Sequence, residues 1–308
     1  MSKPLTYTLL FFVMMIWGFN VIAIKVLVEN FAPVTITAFR ILLAGIVVML
    51  ILGIKKEFRK VTRPQLIYIT IGALTGILGH HFFLSVGLTA TNASNAGLIL
   101  GLVPLMTALA AILFLGDRLT VLRMIGIVSG LIGVSFIVMN GEGSVGSISR
   151  GDLYIFLAVV TQAVSFIAIK RATETMDARL MTGWMQIAGA FFLFVVSAQL
   201  EPDGLATLTT GTPLAWIVFL ASAILATGLG HMVYNKAIHQ IGAGETAIFI
   251  NLTPFFSLTG SYLFLGERIM VEQLYGFLFI VTGVILGTGA LEQSIRKKKK
   301  KKKKRMAS

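Results

Sequence analysis

The stretch PLMTALAAILFLGDRLTVLRMIGIVSGLIGV, residues 104–134, decides the fold because it occurs twice. Shifted by 150 positions, it overlays PFFSLTGSYLFLGERIMVEQLYGFLFIVTGV, residues 254–284, with ten of 31 positions identical. The matches include Pro104/Pro254, Gly116/Gly266, Arg118/Arg268, Gly126/Gly276 and Gly133/Gly283, and Asp117/Glu267 is conservative. Apolar segments share Leu and Val by chance. A proline, a Gly-acid-Arg turn and two further glycines in register mark an internal repeat. Upstream, Gly79-His80 meets Gly230-His231 with one residue of slip, and Ile22-Ala23-Ile24-Lys25 meets Ile167-Ala168-Ile169-Lys170 at an offset of 145.

The repeated unit is built for lipid. Of 308 residues, 56% are hydrophobic and 13% charged, and the mean hydropathy is +0.89. A soluble domain carries about 45–50% apolar and about 25% charged residues, so a water-soluble enzyme is excluded. A helix crosses the bilayer with about 20 apolar residues. Ten segments meet that length, near 6–28, 33–54, 64–87, 93–115, 120–140, 151–171, 178–199, 213–237, 244–265 and 270–291. The first is too long for a signal-peptide core and reads as a retained helix. Five spans per half is an odd number, so the second half inserts in the opposite sense. The expected fold is all-α and integral to the membrane, with ten transmembrane helices as two inverted five-helix repeats around a central cavity. The first repeat covers 1–140, a linker 141–150, the second repeat 151–292 and a polybasic tail 293–308.

Charge sets the orientation. The net charge is +13, yet ten of the 26 Lys and Arg fall between Arg296 and Arg305, and the remainder nearly balances 13 Asp and Glu. With both termini in the cytoplasm, Lys55, Lys56, Arg59, Lys60, Arg63, Arg123, Lys170, Arg171 and Arg179 all fall inside, and Arg150 and Arg268 outside. That bias is the positive-inside pattern. The tail, with eight lysines from Lys297 through Lys304, is expected to be disordered and to lie against anionic lipid headgroups. No nucleic-acid partner is expected. Without cysteine there is no disulfide or thiolate chemistry, and four histidines without co-ligands give no metal site. No cofactor is expected.

Two five-span halves, each with a proline in its fourth helix ending in Phe-Leu-Gly-acid-Arg, resemble the EamA-like branch of the drug/metabolite transporter superfamily. Residues 79–96 and the turn at Gly116-Asp117-Arg118 are most similar to it, and the likeness spans residues 5–292. It implies a secondary transporter of the bacterial inner membrane that exports or exchanges amino acids or other small metabolites, and a basket of helices around a cavity. The resemblance does not select a substrate.

Ionisable groups at membrane depth are costly and so are functional candidates. Arg40 lies about 10 Å into the second span by helical rise. It suits a substrate carboxylate, or it bonds helix-end carbonyls or Glu29; both readings stay open. Lys25, four residues before Glu29, is accounted for by an i,i+4 pair or by snorkelling. His80 and His231 hold matching positions after a glycine and are expected to line the shared cavity, unless each simply bonds a neighbouring helix. His81 points about 100° away from His80. Pro104 and Pro254 kink paired helices and free carbonyls. Asn95, Asn251 and Thr253 lie near them, and Trp17, Asn20, Gln162, Trp184 and Tyr234 are further cavity candidates. No carboxylate falls at the centre of a span, which favours exchange or facilitation over a carboxylate proton relay. Glycine pairs such as Gly126/Gly130 and Gly283/Gly287 read as packing seams; a homodimer through them is compatible, but nothing selects it. A sugar-phosphate or nucleotide-sugar carrier is the rival within transport. A membrane-embedded enzyme would need a nucleophile, metal box or acidic dyad that the chain does not display.

Overall fold

Lipid offers the backbone no hydrogen-bond partner, so an apolar chain that enters it must coil. The computed structural model describes residues 3–116, 119–139, 149–241, 246 and 249–288. Asp117, Arg118, linker residues 141–148 and the lysine tail lie outside the described residues. Helix α1 runs Lys3–Asn30, α2 Pro33–Ile54, α3 Arg63–Gly72, α4 His80–Leu88, α5 Ala93–Leu100, α6 Val103–Leu115 and α7 Val121–Met139. Then follow α8 Arg150–Ala172, α9 Ala178–Leu200, α10 Pro213–Ala221, α11 His231–Ile241, α12 Leu252–Leu265 and α13 Val271–Gly287. Among the described residues there is no strand. Seven continuous helical stretches are long and apolar enough to cross a bilayer, including Arg63–Leu88, Ala93–Leu115 and Pro213–Ala237. Val121–Ile137, Leu252–Leu265 and Val271–Gly287 are shorter apolar helices. With Phe114, Phe191, Leu214, Ile217 and Phe264 all more than half exposed, the chain is a multi-pass membrane protein.

The helices are interrupted at matching places. A π-helical segment, Ala73–Gly79, joins α3 to α4, and a second, Ser222–Gly230, joins α10 to α11. Each ends on the glycine that precedes a histidine. The Ala93–Leu115 stretch breaks at Gly101-Leu102 just before Pro104, and Asn251 breaks the chain just before Pro254. Proline removes a donor and crowds the carbonyl four residues earlier. Helices α6 and α12 end on Gly116 and Gly266, at φ +69° and +66°. A side chain there would meet the steric penalty of the left-handed region, which explains the glycine in both Phe-Leu-Gly turns.

Packing follows the small residues. Helix α7 lies along α13 in the most extensive pairing, and α2 lies along α9. A Cβ on Gly126 would collide with the backbone of Gly283 and Gly287, so these helices meet main chain to main chain. Helix α1 packs on α12, where Gly18 receives Phe256 and Gly260 receives Phe19 and Ile22. Helix α8, at the matching place in the second half, packs on α6 and α5. It also carries the α3–α4 stretch, with Gly76 seated on Ser165.

The bundle has two distinct ends. At one, carboxylates cap helices: Glu201 accepts from the Val34 and Thr35 N–H groups at 2.9 and 2.7 Å, and Glu267 from those of Ala93 and Ser94 at 2.8 and 2.9 Å. The other gathers Lys55, Lys56, Arg59, Lys170 and Arg179.

The seam makes a graded prediction. Gly126→Val should destabilise the protein by about 1–3 kcal/mol through overpacking, read as a fall in thermal midpoint in detergent. Gly116→Ala, where a Cβ would meet nothing within 4 Å, should cost only the backbone penalty of about 1–2 kcal/mol. A Gly126→Val protein as stable as wild type would show that the seam is loose.

Candidate substrate cavity

A cavity of about 1200 Å³ opens at the basic end. Its rim carries Lys55, Lys56, Arg59, Arg123, Lys170, Arg179 and Lys236 against Glu57, Glu174 and Asp177. Arg179 bridges Glu57 at 2.7 Å and Asp177 at 2.9 Å. The Arg179 hydrogen bond holds the Asp177 carboxyl below the ordinary carboxylate range, and Asp177 also caps α9 through the Arg179 N–H. Farther in, Pro104, Thr107, Phe166, Tyr234 and Asn235 form the walls. Pro104 is thus at the cavity; Pro254 instead packs against Gly101 between α5 and α12.

Aromatic rings close the deep end. Tyr234 stands 6.4 Å from Phe166 and 5.1 Å from Trp17 between ring centroids, and Trp17 stands 4.9 Å from His231. The second π segment organises this layer. Trp17 Nε1 donates to the Ala226 carbonyl at 2.9 Å. The Thr227 carbonyl accepts from Gln186 Nε2 at 3.1 Å and lies 2.9 Å from His231 Nδ1, which must donate to it. π turns release carbonyls from the helical ladder and recur at functional sites; here side chains from α1, α9 and α11 take them up.

Arg40 lies one layer deeper, 1% exposed. Its Nη1 donates to Thr227 Oγ1 at 2.8 Å and to Ser222 Oγ at 3.5 Å. Its Nη2 is 3.2 Å from His81 Nδ1. A guanidinium only donates, so His81 Nδ1 accepts and the ring carries its proton on Nε2. Arg40 Nε has no partner, and among the described residues no carboxylate pairs with this charge. Glu29 pairs with Lys25 at 3.5 Å, and Lys25 Nζ also donates to the Leu88 and Thr91 carbonyls.

The other candidates divide. Asn20 Oδ1 accepts from Ser222 Oγ, which joins it to the Arg40 layer. His80 Nδ1 donates to the Ala158 carbonyl at 2.9 Å, and its ring meets that of His81 at 4.8 Å. Gln162 is buried on α8, one turn before Phe166. Asn95 lies at the far end of the bundle, accepting from Gln273 at 2.7 Å. Thr253 is buried against Met14, and Asn251 is half-buried at the break before α12. Trp184 is 38% exposed on the outer face of α9. Of the expected lining residues Pro104 and Tyr234 line the cavity, whereas Trp17, Asn20, Arg40, His80, Gln162, Trp184 and His231 do not. Sequence reasoning set His81 aside as facing away from His80, and missed Gln186, Ser222 and Thr227. The signal was the pattern Thr-Gly-x-Gly-His at 227–231, echoed as Thr-Gly-x-x-Gly-His at 75–80. The extra residue turns Thr75 outward, where it bonds the Ile71 carbonyl instead.

An all-helical, multi-pass bundle with a cavity that opens at one end and is closed by rings at the other has the form of a membrane carrier. The sequence pattern of the EamA-like transporter family matches residues 4–139 and again 149–288, and the chain belongs to that family, whose members are transporters. It is 32% identical to the uncharacterized transporter YyaM of Bacillus subtilis (strain 168), over 87% of this chain and 88% of YyaM. It is 23% identical to the chloroplastic WAT1-related protein At3g02690 of Arabidopsis thaliana, over 92% of this chain and 69% of that one. A solved crystal structure 18% identical superposes with a TM-score of 0.68, covering 93% of this chain and 99% of the other; that likeness speaks for the fold alone.

Thr227 carries the site's geometry. Thr227→Val removes the 2.8 Å acceptor of a buried charge and should cost about 1.5–3 kcal/mol of stability, whereas Thr227→Ser should restore most of it. Thermal unfolding of the two variants side by side checks this. Equal loss in both would mean that the methyl group, not the hydroxyl, matters.

Proposed function

We propose that this protein is a secondary carrier of amino acids or related small carboxylates, exporting or exchanging them across the bacterial inner membrane by alternating access. The observation that carries this reading is Arg40. A buried guanidinium with one nitrogen unpartnered and only neutral acceptors around it is costly, and a bidentate carboxylate completes it. In this reading the present state is open to the cytoplasm, since the cavity mouth is the basic end and positive charge stays inside. The rings of Trp17, His231 and Tyr234 separate the cavity from Arg40, and cargo reaches the guanidinium when that layer parts.

The two halves are read as inverted repeats of five spans each, with both termini cytoplasmic. Support comes from the turns. Leu115, just before Gly116, lines the open cavity, while Glu267, just after Gly266, caps the start of the same Ala93–Leu115 stretch at its opposite end. Two equivalent turns therefore sit at opposite ends of the bundle. Matched π segments and matched proline breaks support the same relation, as do the two family matches. The cationic rim favours one alternative cargo, a phosphorylated sugar, since seven basic groups face three acidic ones there.

Purified protein in liposomes, offered labelled amino acids, other carboxylates and sugar phosphates with and without a pH gradient, tests this. Carboxylate counterflow should be indifferent to the gradient and should fall at least about tenfold in Arg40→Ala, the scale of one lost charge-assisted bond. Uptake unchanged in a folded Arg40→Ala protein removes Arg40 from the path. Accumulation that tracks the proton gradient overturns facilitation, and uptake confined to sugar phosphates selects the alternative.

A further inference from the structure

At the end opposite the cavity mouth, Glu267 makes a connection that the cargo site does not use. Its Oε1 accepts from the Ala93 N–H at 2.8 Å; its Oε2 accepts from the Ser94 N–H at 2.9 Å and the Ser94 hydroxyl at 2.6 Å. A carboxylate on the N-terminus of α5 satisfies otherwise orphaned donors and meets the positive end of the helix dipole. Gln273 reinforces the join. Its Oε1 accepts from the Met270 N–H at 3.0 Å, while its Nε2 reaches across to Ser94 Oγ at 3.1 Å and Asn95 Oδ1 at 2.7 Å. Behind the clamp α5 and α12 touch without a gap: Ser257 fills the space over Gly97, and Pro254 that over Gly101.

The same two stretches part at the other end. Beyond the Gly101-Leu102 break, Thr107, Ala108 and Leu115 form one wall of the cavity, and Ile250 lines it as well. The pair is closed at one end and open at the other. Helices α2 and α9 behave differently. Glu201 caps α2 at one end while Glu57 holds Arg179 of α9 at the other, so that pair is fastened at both. The Glu267 turn is also free to move away, because Gly266, Arg268, Ile269 and Met270 are exposed.

We propose that Glu267 is the latch that shuts the far side of the path in this state, and that it must leave the α5 N-terminus before the path opens there. The proposal rests on the carrier reading above. Alternating access requires one barrier to break as the other forms, and among the described residues the bonds that would break here include the three that Glu267 accepts, two that Gln273 donates and one from Ser257 Oγ to the Ala93 carbonyl at 3.3 Å. Ser94 and Gln273 position the latch; Glu267 carries its charge.

The chain has no cysteine, so a spin-labelled pair at Ala90→Cys and Ile269→Cys, in the full chain reconstituted in lipid, reads the distance across the latch. Both positions are exposed. Wild type should give mainly one short distance. Glu267→Ala should raise the long-distance population about tenfold, as expected from losing a charge-assisted clamp; Glu267→Gln and Ser94→Ala should raise it less, and the control Glu272→Ala, half-buried and outside the clamp, not at all. A Glu267→Ala distribution identical to wild type overturns the latch. Should that variant fail to fold, unchanged distributions in both Glu267→Gln and Ser94→Ala overturn it instead. Liposome uptake by wild type is scored separately: no transport of any cargo sinks the carrier reading, while the distances still decide whether Glu267 holds the end shut.

Discussion

Every peptide group in hydrocarbon must find a partner inside the protein, and the shape of this molecule is a record of where the chain defies that demand and survives. It does so at two π segments, at Gly101-Leu102 and at Asn251. At the second π segment the partners are visible: Trp17 takes the Ala226 carbonyl, and Gln186 and His231 share that of Thr227. Irregular backbone at depth is tolerated where side chains of other helices complete it. Three helices are thereby fastened to one short segment, and Arg40 is fastened to the same segment through the Thr227 hydroxyl.

That hydroxyl serves two bonds at once. It donates to the Ser222 carbonyl at 3.0 Å and accepts from Arg40. A charge in an apolar interior is held by neutral dipoles alone, an arrangement that costs solvation and returns little. Proteins that need only stability replace such groups with apolar ones. Its presence at the centre of this chain directs attention to what passes through.

Much of the architecture was legible in the sequence because it is written in coarse features. Hydropathy located the apolar stretches, and the shared Pro, Gly and acid-Arg residues located the equivalence between halves. Gly116 and Gly266 stand out in a single sequence because only glycine takes their left-handed turn at no cost. The candidate cavity was legible in part. Tyr234 lines it, and Asn20 and His231 bond Ser222 and Thr227, the partners of Arg40, but Asn95 belongs to the capped end and Trp184 to the outer face. The reasons differ: Asn95, the third residue of α5, is placed by its depth along the bundle, and Trp184 by which face of α9 the neighbouring helices cover, and composition marks neither. His81 does point elsewhere than its neighbour, as an ideal helix requires: His80 bonds the Ala158 carbonyl and His81 meets Arg40, a partner that only the tertiary packing reveals.

The single residue by which 75–80 exceeds 227–231 has an outcome for energetics. Thr227 serves the charge and Thr75 does not, and the charge itself stands in the first half alone, with Gln186 near its matching place in the second. A device assembled from flawless copies would rest with equal ease facing either compartment. Under the carrier reading proposed above, copies that differ by an amino acid and a cation give a preferred posture at rest, set by the chain itself before any solute arrives.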